Sequence, residues 1–221
     1  MKMALVTGAS RGIGSATAHI LKEKGYEVYT PTHEELDLSD VSSIGSFCEK
    51  YKDTTFDVII NNAGLNEIND IEHVEEKDLI NMVEVNLLAP IRLLRGLVPN
   101  MKKQNYGRIV NIGSIWGLAG KPGRVVYAAT KYGIHGITQT LAVELAPYNI
   151  LINTVCPGFT LTELTSKNNT SQQIEEISEY IPMKRMAKPE EQAEVIFFLA
   201  SDKNTYITGQ QIAVDGGYTS K

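Results

Sequence analysis

A short apolar run at residues 3–7 ends directly in Gly8-Ala9-Ser10-Arg11-Gly12-Ile13-Gly14, and an apolar-periodic segment at 15–24 follows, closed by Gly25. No other stretch restricts the fold so tightly. A buried strand, a glycine turn and a helix in that order form the setting in which a glycine motif binds a dinucleotide. Gly8 permits the tight turn, Gly12 lets backbone approach a diphosphate, and Gly14 lets helix and strand pack closely. The helix N-terminus then presents free N–H groups and the positive end of its dipole. A plain strand-to-helix turn is the bland alternative.

The chain has 221 residues and a formal net charge of −5. That length suits one α/β domain covering 1–221 with a single large core. The charge argues against nucleic acid or an anionic membrane as partner, and no apolar run approaches the ~20 residues that span a bilayer. The start of the chain is too short for a signal peptide and runs straight into the glycine motif. Cys48 and Cys156 are the only cysteines and lack metal-ligand spacing; His19, His33, His73 and His135 cluster with neither cysteines nor paired carboxylates. No metal is expected, and two free thiols fit a cytoplasmic setting.

Further along, 27–30, 57–61 and 108–112 read as strands, 57–61 as a buried one, and 79–95 as a helical segment. Between 30 and 41 the sequence is unusually short. Six residues, 31–36, lead to Asp37-Leu38-Ser39-Asp40 and a helix from about 41 to 51. A parallel crossover needs a dozen or more residues, so a helix is missing here. The expected fold is a Rossmann-type, doubly wound parallel α/β sheet of six strands; a short antiparallel return is the alternative.

Tyr127 and Lys131 stand four residues apart, with Ser114 thirteen residues upstream. On a helix that spacing stacks phenol and ammonium on one face, and an ammonium beside a phenol favours the phenolate. Such a pair alone is a weak signal.

Taken together, the GxxxGxG turn, Asn61-Asn62-Ala63-Gly64, Asn86 within a helical segment, Gly113-Ser114 after a strand, the YxxxK pair, Pro157-Gly158 and the segments 207–210 and 214–217 resemble the short-chain dehydrogenase/reductase family over nearly the whole chain. The resemblance implies hydride transfer between a nicotinamide and a carbonyl or hydroxyl carbon. Tyr127 is then the acid or base. Lys131 lowers the phenol pKa and bonds the nicotinamide ribose, Ser114 polarises the carbonyl, and Asn86 holds a water while interrupting its helix. The cofactor contacts implied are Gly8, Ser10, Arg11, Gly12, Ile13, Gly14, Thr30, Asp37, Leu38, Asn62, Ala63, Gly64, Tyr127, Lys131, Pro157, Gly158, Thr160 and Thr162. Asp37 would face adenine; its bland alternative is a cap or turn residue.

The second strand ends in Thr30-Pro31-Thr32, with neither an acid for a ribose 2′-OH nor an arginine. Arg11 can pair with a 2′-phosphate. NADP(H) is therefore favoured, with NAD(H) the alternative if Glu34 or Glu35 folds back. Ser114, Trp116 and Tyr127 are the candidate substrate contacts, within a mouth formed by Trp116, Leu118, 120–126 and 159–186. A polar run at 166–171 and the apolar Ile174, Ile177 and Ile181 suit a lid.

Within the family the likeness is greatest to 3-oxoacyl-[acyl-carrier-protein] reductases, but Val143 replaces the arginine those enzymes present to the carrier. A sugar, a polyol or another small ketone or alcohol competes with a thioester-carried substrate. Lys121 and Arg124 read as solvated loop charges, with an anion or a carrier as the alternative. A nucleotide-sensing protein without catalysis is the reading of another class. The resemblance also implies a homodimer or homotetramer built on the two long helices.

Overall fold

The computed structural model describes residues 1–163, 165 and 170–220. Six strands lie parallel in the order β2-β1-β3-β4-β5-β6. They are β1 (Met3–Val6), β2 (Glu27–Tyr29), β3 (Val58–Asn61), β4 (Gly107–Ile112), β5 (Ile150–Pro157) and β6 (Gln211–Val214). The helices are α1 (Gly12–Glu23), α2 (Val41–Lys50), α3 (Glu76–Val83), α4 (Ala89–Gln104), α5 (Val125–Leu145), α6 (Ser171–Glu179) and α7 (Pro189–Ala200).

The central strands are buried on both faces, which is why they read as continuous apolar runs. Successive side chains alternate between two cores. Leu5, Ile59 and Ile109 face one that holds Phe47 of α2, Leu93 and Leu97 of α4, and Leu145 of α5. Ala4, Val6, Val58, Ile60 and Val110 face the other, with Ala18 and Leu21 of α1 and Ile196 and Leu199 of α7. The sheet is doubly wound. β1 lies between β2 and β3, so the chain reverses its winding there and leaves a crevice at the strands' C-terminal ends.

No helix stands between Tyr29 and Val41, and no strand is added outside β2. The segment instead turns back on itself: Glu35 N and Leu36 N both donate to Thr32 O, at 3.2 and 3.0 Å. Leu36 is buried against Ile44 and Phe47, so the loop is pinned to the core. Asp40 caps α2 through Ser42 N.

Several boundaries differ from expectation. The glycine turn is shorter than expected because α1 starts at Gly12, and β2 ends at Tyr29. Around Asn86 the backbone winds as a π-helix over Glu84–Leu88, joining α3 to α4 without a break. Part of the expected lid, 166–169, lies outside the described residues; beyond it Thr170 caps α6 in a capping box with Gln173. Among the described residues no helix is long and apolar enough to cross a membrane.

Candidate functional site

One cleft of about 850 Å³ runs along the C-terminal ends of the strands, from the 31–39 loop past the glycine turn to Ser114, Tyr127 and Phe159. Gly8 and Gly12 adopt φ of +64° and +58°, a region L side chains rarely visit. A Cβ on Gly14 would lie 2.4 Å from both Gly8 O and Asn62 Nδ2, so α1 can enter this close only as glycine. Asn62 fastens the turn by donating to Thr7 O and Gly8 O, each at 2.9 Å. No side chain caps α1, and its first turn carries no acid. Its leading N–H groups therefore face the cleft as donors suited to an anion. That set of groups fits a dinucleotide diphosphate.

At the other end, β4 runs into Ser114 and α5 carries Tyr127 and Lys131. Ser114 and Tyr127 line the cleft together, and the Ser114 hydroxyl acts to lower the phenol's pKa; Ser114 Oγ accepts from Trp116 N at 3.1 Å. Lys131 is buried, donates from Nζ to Ile112 O at 2.7 Å, and lies 5.5 Å from the Tyr127 ring centroid. Burial lowers its pKa to about 8.

The phenol departs from the simple expectation. Burial of its hydroxyl pushes its pKa up, although the residue keeps part of its surface open to the cleft. The neighbouring Ser114 hydroxyl and the Arg124 charge pull it down. Lys131 makes its hydrogen bond to Ile112 O and not to the phenol.

Asn86 is buried outside the cleft wall. Its Oδ1 accepts from Leu65 N at 2.7 Å, and its Nδ2 donates to Leu65 O and Thr130 Oγ1 at 2.8 and 3.2 Å. A Cβ on Gly64 would come within 3.2 Å of Asn86 Oδ1 and 3.6 Å of Lys131 Nζ, which puts both side chains directly behind that glycine.

Ser10, Arg11, Ile13, Asp37, Leu38, Ala63, Pro157, Gly158, Thr160 and Thr162 also line the cleft. Thr30 does not; its neighbours Pro31, Thr32 and His33 do. Asp37 is held in its own turn, its Oδ1 accepting from Ser39 N at 2.8 Å and Ser39 Oγ at 2.7 Å, and these bonds lower its pKa. Glu35 does fold back, but onto Thr32 N and the Tyr29 hydroxyl at 2.9 and 3.0 Å. It is not a lining residue. Thr162 packs over Gly12, whose added Cβ would meet it at 3.2 Å, so the strap after β5 crosses the glycine turn. Thr160 Oγ1 donates to Gly158 O at 3.1 Å and receives Gln192 Nε2 at 3.4 Å.

Trp116 both packs and lines the cleft, edge-to-face with Phe159 and Tyr218 at centroid distances of 6.0 and 5.9 Å. Phe159, at the start of the expected mouth, lines the cleft; sequence reasoning missed Asn66, Asn81 and Val85, since nothing local marks them. Arg124 also differs from expectation. It is not a solvated loop charge but a half-buried lining residue, bonded through Nη1 to Asn66 Oδ1. Among the described residues no group of His, Cys, Asp and Glu is placed to hold a metal.

A doubly wound sheet with a phosphate-binding turn at one end of its crevice and a Ser–Tyr–Lys set at the other defines a nucleotide-dependent oxidoreductase. Comparison with known proteins agrees. A family model described as enoyl-(acyl carrier protein) reductase matches residues 32–219. The 3-oxoacyl-[acyl-carrier-protein] reductase of Buchnera aphidicola subsp. Schizaphis graminum is 38% identical over 98% of this chain and 96% of its own. The reductase of the same name from Thermotoga maritima is 38% identical over 98% and 97%. Among solved structures, ElxO with NADP bound superposes with a TM-score of 0.94 at 31% identity, covering 100% of this chain and 99% of that one. A 4-hydroxyisoleucine dehydrogenase complexed with NADH has a TM-score of 0.94 at 28% identity, covering all of both chains. The chain belongs to the short-chain dehydrogenase/reductase family and is an NAD(P)-dependent oxidoreductase.

Proposed function

We propose that the protein interconverts a carbonyl and an alcohol with NADP(H), Tyr127 giving the proton in reduction and taking it in oxidation. The observation that carries this is that one cleft is lined by Ser114, Tyr127 and Lys131 at one end and by the glycine turn at the bare N-terminus of α1 at the other. When bound, the nicotinamide supplies or accepts the hydride; the chain supplies distance, orientation and field.

Ser114 fixes the phenol and polarises the substrate oxygen. Lys131 restores the phenol's proton, with Asn86 beside it behind Gly64. The turn 8–14 and the helix end hold the diphosphate. Asn62, Ala63 and Gly64, with Pro157, Gly158, Thr160 and Thr162, frame the nicotinamide half. Asp37 and Leu38 border adenine, and Thr30 only supports the neighbouring wall.

Arg11, on the cleft wall, meets the 2′-phosphate, and Glu35 does not oppose it because its carboxylate already serves Tyr29 and Thr32. This favours NADP(H) over NAD(H). A small ketone or alcohol is the primary substrate class. A 3-oxoacyl thioester is a second reading, supported by the named relatives and opposed by Val143, which is 81% exposed where a carrier-binding arginine was expected. Exposed apolar side chains on α4 and α5, among them Ile91, Tyr132 and Val143, support a homodimer or homotetramer. The free thiols Cys48 and Cys156 support a cytoplasmic setting.

The test is carbonyl-dependent NADPH oxidation by wild type and Tyr127→Phe. Turnover is expected to fall by about 10²–10⁴-fold, with NADPH affinity retained. Undiminished turnover would remove Tyr127 from its role, and NADPH binding with no turnover by wild type would favour the nucleotide-sensing reading.

A further inference from the structure

We propose that Arg124 binds a carboxylate on the substrate, so that the site takes a short oxo acid or the matching hydroxy acid. The inference rests on the oxidoreductase reading and names its substrate class. Arg124 stands three residues before Tyr127 at the start of α5, so the two side chains lie on one helical face, about one turn apart. It lines the same cleft, and its charge acts on the phenol.

Its bonding is incomplete in a way that points to a ligand. Nη1 is held by Asn66 Oδ1, which fixes the plane of the guanidinium. Nε is buried without a hydrogen-bond partner. Among the described residues Arg124 enters no ion pair. Nη2 is neither bonded to a described residue nor among the buried atoms, so a guanidinium whose other donors are tied up or enclosed keeps this one open to an anion in the cleft. Burial and the nearby Arg124 charge together lower the Lys121 pKa, and its Nζ lies 5.0 Å from the Trp116 ring beside the cleft. Asp37 is the only acid among the described lining residues, and it stands at the far end with the 31–39 loop. The substrate end is therefore positive in a protein whose net charge is −5.

A guanidinium edge matches a carboxylate through two parallel hydrogen bonds. With the carboxylate there, a carbonyl about one to three carbons away reaches the phenol one helical turn on. A strut role for Arg124 needs only its Asn66 bond and leaves the open Nη2 on the cleft wall without purpose.

The experiment compares 2-oxobutanoate, acetoacetate and levulinate with their amides, and with the pantetheine thioester of acetoacetate, as substrates with NADPH. Wild type, Arg124→Gln and Arg124→Lys are assayed, and melting temperature is followed. For at least one acid, wild type is expected to prefer acid to amide by about 30-fold in kcat/KM. Arg124→Gln brings the ratio to within about threefold, chiefly through KM, and Arg124→Lys falls between. If none of these compounds is turned over, calorimetry on the NADP-loaded protein decides: binding of an acid that Arg124→Gln abolishes supports the assignment, and no binding by wild type overturns it. Equal use of acid and amide, preference for the thioester, or equal loss of both activities in Arg124→Gln also overturns it. The oxidoreductase reading is tested apart from these outcomes, by Tyr127-dependent NADPH oxidation with carbonyl compounds that carry no carboxylate.

Discussion

The two ends of the cleft are built from different material. The catalytic end rests on the buried strands β4 and β5 and on the 21-residue helix α5, with Ser114 and Lys131 both buried. The 31–39 end hangs from β2, a three-residue edge strand that is only partly buried, and is closed by a loop where an extra helix and strand were expected to be absent. At one end side chains are fixed by long-range packing; at the other, Glu35, Asp37 and Asp40 fix the backbone through bonds to residues two or three positions away. Chemistry that tolerates little displacement sits where the fold is deepest, and shape recognition is left to a compact loop.

The glycine turn joins the two, so it is where the comparison breaks most sharply. Gly14→Ala puts a Cβ 2.4 Å from Gly8 O, a backbone atom that cannot swing aside. Relieving that overlap costs about 1–3 kcal/mol. We expect NADPH affinity to fall roughly 5–150-fold and the melting temperature by about 2–10 °C. Equilibrium titration of NADPH fluorescence beside thermal unfolding measures both. Unchanged affinity would mean that the turn does not hold the diphosphate.

The catalytic end carries a buried ammonium, and that has a cost with a definite pH dependence. Lys131 has a pKa of about 8 in the folded protein against an ordinary 10.5. Between those values the unfolded chain binds the extra proton and the folded chain does not, so this group's contribution to stability rises with pH, by roughly 3 kcal/mol in all. Lys131→Met removes the dependence. The variant's advantage over wild type in melting temperature, in the absence of cofactor, should shrink steadily from pH 7 to pH 10. A difference that stays constant over that range would show that the ammonium is solvated. Activity is expected to move the opposite way, because the charge that destabilises the empty site is the one that reprotonates the phenol.

The sheet, its winding and the glycine turn were readable because each depends on local spacing. The run 3–7 with glycines at 8, 12 and 14 dictates strand, turn and helix, and six residues after Thr30 are too few for a crossover whatever their identity. Asn86 could be expected to disturb its helix, and the chain winds as a π-helix there. What depends on distant partners could not be read. Arg124 lies in a run of glycines and charges that looks like any solvated loop, and only Asn66, 58 positions away, turns it into the cleft. The direction of the Tyr127 shift was hidden for the same reason. The i,i+4 spacing suggested a lysine acting on a phenol, whereas Ile112 O, on β4, takes the ammonium and burial dominates the phenol.

The smallest effect we expect is at the loop end and tests whether cofactor choice resides there. Arg11 precedes α1, lines the cleft and has no side-chain role in capping the helix. Arg11→Ser should therefore raise the Kd for NADPH about 10-fold, the worth of one charge-assisted pair to an exposed phosphate. The Kd for NADH, which lacks that phosphate, should change less than about twofold, and the NADPH effect should shrink as salt is added. Losses of equal size for both cofactors would instead make Arg11 part of the diphosphate cradle. Selection between NADPH and NADH would then have to come from the backbone of Pro31-Thr32-His33, and the loop rather than the glycine turn would set it.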